Sequence, residues 1–193
     1  MSSLQGRIAV ITGASRGIGR AAALAMAKQG AHIIALARTS GALEDLDDDI
    51  RAAGGESATL VPLDLKDFDA LDRLGAAIHE RWGKLDFVFH SIASARKADL
   101  QGRLADCSGA GFAEAMLVSC HSLIRMARLA EPLMRDGGSV TTVSYYGAEK
   151  VVEHYNVMGP VKAALEASVR YLAADLGKNG VRVFDAEHDR ETG

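Results

Sequence analysis

The chain has 193 residues, is 48% hydrophobic and 24% charged, and carries a formal charge of −3. That length and balance suit one globular domain, residues 1–193, with a core of its own. They offer no basic stripe for nucleic acid, and no apolar run approaches the roughly 18 residues of a membrane span. Met1-Ser2-Ser3-Leu4-Gln5-Gly6 lacks the pattern of a secretory leader. Cys107 and Cys120 have neither redox nor metal-site spacing. The expectation is a cytoplasmic protein with reduced thiols.

Apolar runs alternate with helical stretches along the chain. Arg7-Ile8-Ala9-Val10-Ile11 is short and β-branched enough for a buried strand. Thr12-Gly13-Ala14-Ser15-Arg16-Gly17-Ile18-Gly19 follows, and Arg20 to Ala27 reads as helix. A strand that breaks at glycines and re-enters as a helix aims backbone N–H groups and a positive dipole end at one point. That is an anion site, suited to a dinucleotide pyrophosphate. Gly13 allows the tight turn, Gly17 a close approach of phosphates, and Gly19 close packing of helix on sheet. The plain alternative is a glycine-rich turn with no ligand.

Further strands are expected at His32 to Ala37, Ala58 to Leu63, Leu85 to Ile92, Ser139 to Ser144 and Val181 to Phe184. Pro62 marks the third as an edge or irregular strand. Ser40 and Asp67 are candidate helix caps, and Gly54-Gly55 and Gly83 are stops. A loop spans Ala93 to Gly109, then a long helix Phe112 to Met134. A second loop spans Tyr145 to His154, and a last helix runs to about Leu176. This alternation predicts a three-layer α/β fold, a doubly wound parallel sheet of the Rossmann type. Ligands of such sheets lie beyond the carboxyl ends of the strands. The polar residues gather there: Gly13 to Gly19, Arg38, Asp64-Leu65, His90 to Ala93 and Ser144-Tyr145-Tyr146.

Arg38, with help from Arg16, suits a ribose 2′-phosphate, which favours NADPH while admitting NADH. The alternative is two solvated arginines. Asp64 either accepts from an adenine amino group or caps a loop. Tyr155 and Lys162 are seven apart, so two helical turns would put them on one face, about 10 Å apart. A nearby ammonium would favour the phenolate and ease proton donation from Tyr155, and the same lysine could hold ribose hydroxyls. Pro160 between them is tolerated only in a first turn, so the helix is expected to begin near Asn156 and leave Tyr155 just before it. Tyr145 and Tyr146 could equally be packing aromatics. His90 reads as a satisfied strand histidine. Cys120-His121 and Glu187-His188-Asp189 lack convincing ligand spacing, so no metal is assigned.

Thr-Gly-x3-Gly-x-Gly, Asp64-Leu65 and Tyr-x6-Lys resemble the short-chain dehydrogenase/reductase superfamily. Residues 1–83 are similar to its ketone-reducing members. Residues 85–183 are similar to the enoyl-acyl-carrier-protein reductases, on His90-Ser91-Ile92-Ala93, Ser144-Tyr145-Tyr146-Gly147-Ala148-Glu149, Tyr155-Asn156-Val157-Met158-Gly159 and the run from Lys162 to Ala173. The resemblance implies hydride delivery from the cofactor to the β-carbon of an enoyl thioester, in fatty acid biosynthesis. Tyr155 would hydrogen-bond the enolate oxygen, Lys162 would hold the cofactor ribose, and Tyr145 is the second tyrosine of that branch. Gly13, Ser15, Arg16, Gly17, Ile18, Gly19, Arg38, Asp64, Leu65, Ser91, Ile92 and Ala93 would line the cofactor. It also implies an acyl-carrier-protein partner and a homo-oligomer, dimer or tetramer. The serine that ketone reducers carry thirteen before the tyrosine is here Thr142. After Val183 the sequence departs from the family, so the expected fold is truncated after its sixth strand. Carbonyl or 3-oxoacyl reduction is the alternative activity; a catalytically incomplete nucleotide-binding fragment, or chimera, is the alternative to an enzyme.

Overall fold

Six strands pair side by side, all parallel, in the computed structural model, which describes residues 3–188. The tail from Asp189 onward and the first two residues lie outside the described residues. In chain order the strands are β1 (Ile8–Thr12), β2 (His32–Ala37), β3 (Thr59–Pro62), β4 (Phe87–His90), β5 (Gly138–Tyr145) and β6 (Val181–His188). Their order across the sheet is β3-β2-β1-β4-β5-β6. β1 is central and every one of its side chains is buried, which explains an unbroken apolar run where a half-exposed strand would alternate. β3 is an edge, so Pro62 needs no ladder partner on its outer side.

Helices cover both faces. On one, α1 (Gly17–Lys28) and α2 (Ser40–Ala52) enclose Ile11, Ile33, Leu43 and Ile50. On the other, α3 (Phe68–Trp82), α6 (Ser122–Ala130) and α7 (Met158–Leu176) enclose Val10, Ile34, Leu123 and Leu165. A short α4 (Lys97–Leu100) lies within the expected loop, and α5 (Gly109–Met116) runs into α6 through a π turn at Leu117–His121. Burying Asp86 at 6% exposure ties the far end of the sheet together, since its carboxylate accepts from the Ile8 amide at 2.9 Å and from Arg7 at 2.6 Å.

Register sets up the opposite end. Thr12 sits beside Leu36 and His90, and His90 sits beside Thr142, so one row crosses the sheet where the strands finish. The chain order reverses between β1 and β4, and the gap there is the switch point at which such sheets open a crevice.

Several boundaries differ from the sequence reading for local reasons. Ser40 is the first helical residue of α2, and Thr39 is its N-cap, with no side-chain cap bond. The long helix starts at Gly109, because the Ser108 hydroxyl accepts from the Gly111 amide at 3.0 Å, and the π turn interrupts it. α7 begins at Met158, which leaves Pro160 in its first turn, where its missing N–H costs nothing. β6 continues to His188, paired with β5 as far as Tyr145. Asp67 does cap α3, accepting from the Ala70 amide at 2.9 Å, and Gly83 ends that helix at φ +68°. Asp67→Ala removes that acceptor, so urea unfolding should show a loss of about 1 kcal/mol; an unchanged midpoint would contradict the cap's role.

Candidate active site

The crevice at the switch point is a cavity of about 400 Å³. Gly13, Ser15, Arg16, Gly17 and Ile18 line one side, Arg38, Asp64 and Leu65 another, and Ser91, Ile92 and Ala93 a third. Eleven of the residues predicted to hold a cofactor therefore meet in one place. Gly19 and Lys162 lie outside its lining.

The glycines explain how the backbone can do this. A Cβ on Gly13 would collide with the Ser91 carbonyl oxygen, so β1 and β4 meet beyond their ends with room for hydrogen only. A Cβ on Gly19 would strike the Gly13 carbonyl, which is how α1 can begin directly against the strand it left. Gly17, at φ +56°, stands in open space and lines the cavity. α1 carries no acidic residue in its first turn, so its dipole end faces the cavity without internal neutralisation.

Arg16 and Arg38 are exposed at the rim. Asp64 is turned partly inward, its carboxylate accepting from the Lys66 amide at 3.0 Å while still lining the cavity. Sequence reasoning missed the wall contributed by α5 and the π turn, Glu114 and Val118. They stand four apart on one helical face, but nothing in the sequence says which face meets the sheet. Glu114 pairs with Arg96 at 2.8 Å and Lys66 at 3.5 Å, and these two cations, Arg96 first, hold its carboxyl below the usual range.

The tyrosines form a second cluster. Tyr145 ends β5, and its ring packs edge-on against Tyr155, with centroids 4.8 Å apart. Gly147 makes room for this pair, since a Cβ there would lie 2.5 Å from Tyr155 Cδ1. Tyr155 precedes α7, and its neighbours His154 and Asn156 both have left-handed backbones, φ 61° and 32°. Such conformations cost of order 1 kcal/mol each and persist where the surroundings impose them. Asn156 supplies part of that imposition by donating to the Leu100 carbonyl at 3.0 Å and to Gly102. Tyr155 lines its own cavity, of about 490 Å³, with Leu104, Val151, Val152, Pro160 and Ala163 among the walls.

Lys162 lies on α7 and is only 5% exposed. Its ammonium donates to the Val143 carbonyl, on the strand that carries Tyr145 two residues later. Burial pulls its pKa down to about 8, against the opposing charge of Glu166 one turn on. Glu166 is itself engaged by the Ser144 hydroxyl. The Tyr155–Lys162 spacing thus arises from a loop followed by helix, not from two helical turns.

His90 is the satisfied strand histidine that the sequence suggested. It is 1% exposed, with Nδ1 2.9 Å from Thr142 Oγ1 and Nε2 2.7 Å from Ser122 Oγ. Thr142 is buried as well, and its hydroxyl also reaches the His90 carbonyl at 3.2 Å. The position where ketone reducers place a serine is therefore committed to an internal bond.

A model of the enoyl-(acyl carrier protein) reductase family matches residues 13–185, without a break where the two sequence resemblances meet. The enoyl-acyl-carrier-protein reductase (NADH) of Rickettsia bellii (strain RML369-C) is 51% identical over 121 residues, 63% of this chain and 46% of that protein. The corresponding protein of Aquifex aeolicus (strain VF5) is 42% identical over 186 residues, 95% of this chain and 68% of that protein. The crystal structure of the Anaplasma phagocytophilum enoyl-acyl-carrier-protein reductase in complex with NAD superposes with a TM-score of 0.87 at 42% identity, covering 94% of this chain and 70% of that one. The chain thus spans less than half of the Rickettsia relative and about two thirds of the Aquifex one.

Burial holds the pKa of His90 down to about 3 from an ordinary 6.5, with Lys162 adding to the effect. Between those two values the unfolded chain binds a proton that the folded one refuses, so stability falls as pH drops through that window. Glu114, also held low, pulls the same way at the acid end. Urea titrations between about pH 6 and pH 4 should show a slope steeper by roughly 1 kcal/mol per pH unit in the native chain than in His90→Gln. Equal slopes would contradict the burial of a neutral imidazole.

Proposed function

This chain belongs to the enoyl-(acyl carrier protein) reductase family, and we propose that it is a nicotinamide-dependent oxidoreductase that reduces the double bond of an enoyl thioester. The observation that carries the reading is the convergence of the glycine turn, Arg38, Asp64-Leu65 and Ser91 to Ala93 on one cavity.

The residues present fit a dinucleotide. Gly17 leaves open space at the start of α1, where the free N–H groups of the first turn and the helix dipole suit an anion. Ser91, Ile92 and Ala93 would flank the nicotinamide half, and Lys162 would hold its ribose. When bound, the cofactor supplies the hydride. Relatives named for NADH, and a neighbour that holds NAD, favour NADH over the NADPH suggested by Arg16 and Arg38. Both arginines sit exposed at the rim, where they also suit the pyrophosphate and a ribose whose 2′-hydroxyl is free.

Tyr155 carries the substrate role in this reading. Its phenol donates a hydrogen bond from Oη to the thioester oxygen as that oxygen gains charge, and a placed donor of this kind is worth several powers of ten in rate. Tyr145 fixes the Tyr155 ring by the edge-on contact, and the 490 Å³ cavity beside Tyr155 offers apolar walls to an acyl chain. The acyl-carrier-protein partner, a homo-oligomeric state, a cytoplasmic location and a single-domain organisation belong to the same reading. Among the described residues no helix is long and apolar enough to cross a membrane.

Reduction of 3-oxoacyl thioesters is disfavoured by one observation: the Thr142 hydroxyl is buried and committed to hydrogen bonds with His90. Steady-state assays with NADH should show turnover of a crotonyl thioester well above that of a 3-oxoacyl thioester. Tyr155→Phe should lower kcat about a hundredfold or more while leaving NADH affinity within about twofold. Turnover of the 3-oxoacyl substrate alone would replace this reading with the carbonyl one; cofactor binding without any turnover would leave a nucleotide-binding fragment.

A further inference from the structure

The π turn at Leu117–His121 is a costly conformation that natural helices keep mostly at functional places. Here it leaves His121 Nδ1 buried with no hydrogen-bond partner, the only such side-chain atom among the described residues. Something must hold the turn, and the Ser122 hydroxyl does so with His90 behind it. The Ser122 hydroxyl donates to the Val118 carbonyl within the turn at 2.6 Å. The same oxygen lies 2.7 Å from His90 Nε2, whose other nitrogen is anchored by Thr142 on β5.

The turn in its present shape aims Ser119 at the strand end. Ser119 is fully buried, and its single hydroxyl serves both main-chain groups of Ser94: it accepts from the amide at 2.9 Å and donates to the carbonyl at 3.1 Å. A hydroxyl thereby replaces the neighbouring strand that Ser94, beyond the end of β4, no longer has. Ser94 closes the Ser91 to Ala93 wall of the cavity, and Val118 of the same turn lines it.

We propose that His90 and Ser122 are positioning residues that lock the π turn, and that they act through Ser119, which clamps Ser94 and so sets the wall of the dinucleotide cavity. This rests on the cofactor reading above, but the clamp has a signature of its own. A relay predicts non-additivity. Once Ser119 is lost, breaking the lock behind it has little left to disturb.

The test uses the whole chain and four variants, Ser119→Ala, Ser122→Ala, the double change and Ser119→Thr. NADH affinity is measured by fluorescence titration, Ser94 amide exchange by NMR, and folding by thermal melts. Each single alanine change should weaken NADH binding about tenfold and speed Ser94 exchange by a similar factor. The double variant should be no weaker than the worse single one, and Ser119→Thr, which keeps the hydroxyl, should recover most of the affinity. Additive losses would overturn the relay, as would unchanged Ser94 exchange, or faster exchange spread evenly over the sheet. Should Ser119→Ala fail to fold, Ser122→Ala alone carries the test, through NADH affinity and through Ser94 exchange measured against the rest of the sheet. A native chain that binds no NADH would overturn the cofactor reading instead, and Ser94 exchange would then decide the clamp by itself.

Discussion

Everything at the carboxyl edge of this sheet depends on the approach of two backbones. Gly13 leaves β1 and Ser91 leaves β4 so close together that no side chain can stand between them. That contact is permitted only by glycine, and it has two consequences. It lets α1 start against its own strand, with Gly19 packed on the Gly13 carbonyl. It also brings the wall at Ser91 to Ala93 across from the helix N-terminus, so that an anion held by the helix has its far end beside that wall. A larger residue at position 13 would separate the strands, and the crevice would lose its shape before any binding group was touched.

Behind that edge lies a buried polar line rather than an oily one. Thr142, His90 and Ser122 share hydrogen bonds across β5, β4 and the start of α6, all at or below 1% exposure. Buried groups of this kind are stabilising only when each finds its partner, and they then specify one arrangement. Burial holds the imidazole pKa down to about 3, so the line carries no charge on its histidine at neutral pH. Lys162 follows the same logic on the next helix, its ammonium satisfied by the Val143 carbonyl and its charge balanced by Glu166. Lys162 and His90 are parts of one desolvated region, and Lys162 contributes to the low pKa of His90.

Much of this was legible in the sequence. Strand–glycine–helix order gave the parallel sheet, and the rule that ligands sit at strand ends collected the residues that now line one cavity. Local signals also carried the Asp67 cap and the edge position that Pro62 implies. What the sequence could not carry was the register and rotation of helices. Glu114 and Val118 are ordinary helical residues until α5 is docked, and Ser119 is one serine among many until a π turn re-aims it. A π turn has no compositional signature, because it is imposed by side chains from elsewhere, here His90. Pro160 did place Tyr155 just before α7, but not the left-handed backbone around it, where Asn156 is held by tertiary contacts to Leu100 and Gly102.

The central claim is that the cavity between the glycine turn and the Ser91 to Ala93 wall holds a nicotinamide dinucleotide. A crystal structure of this chain grown with NADH tests it most directly. The account predicts density with the pyrophosphate over Gly17 at the start of α1 and the nicotinamide beside Ile92 and Ala93. Density elsewhere, or an empty cavity at saturating NADH, would contradict it.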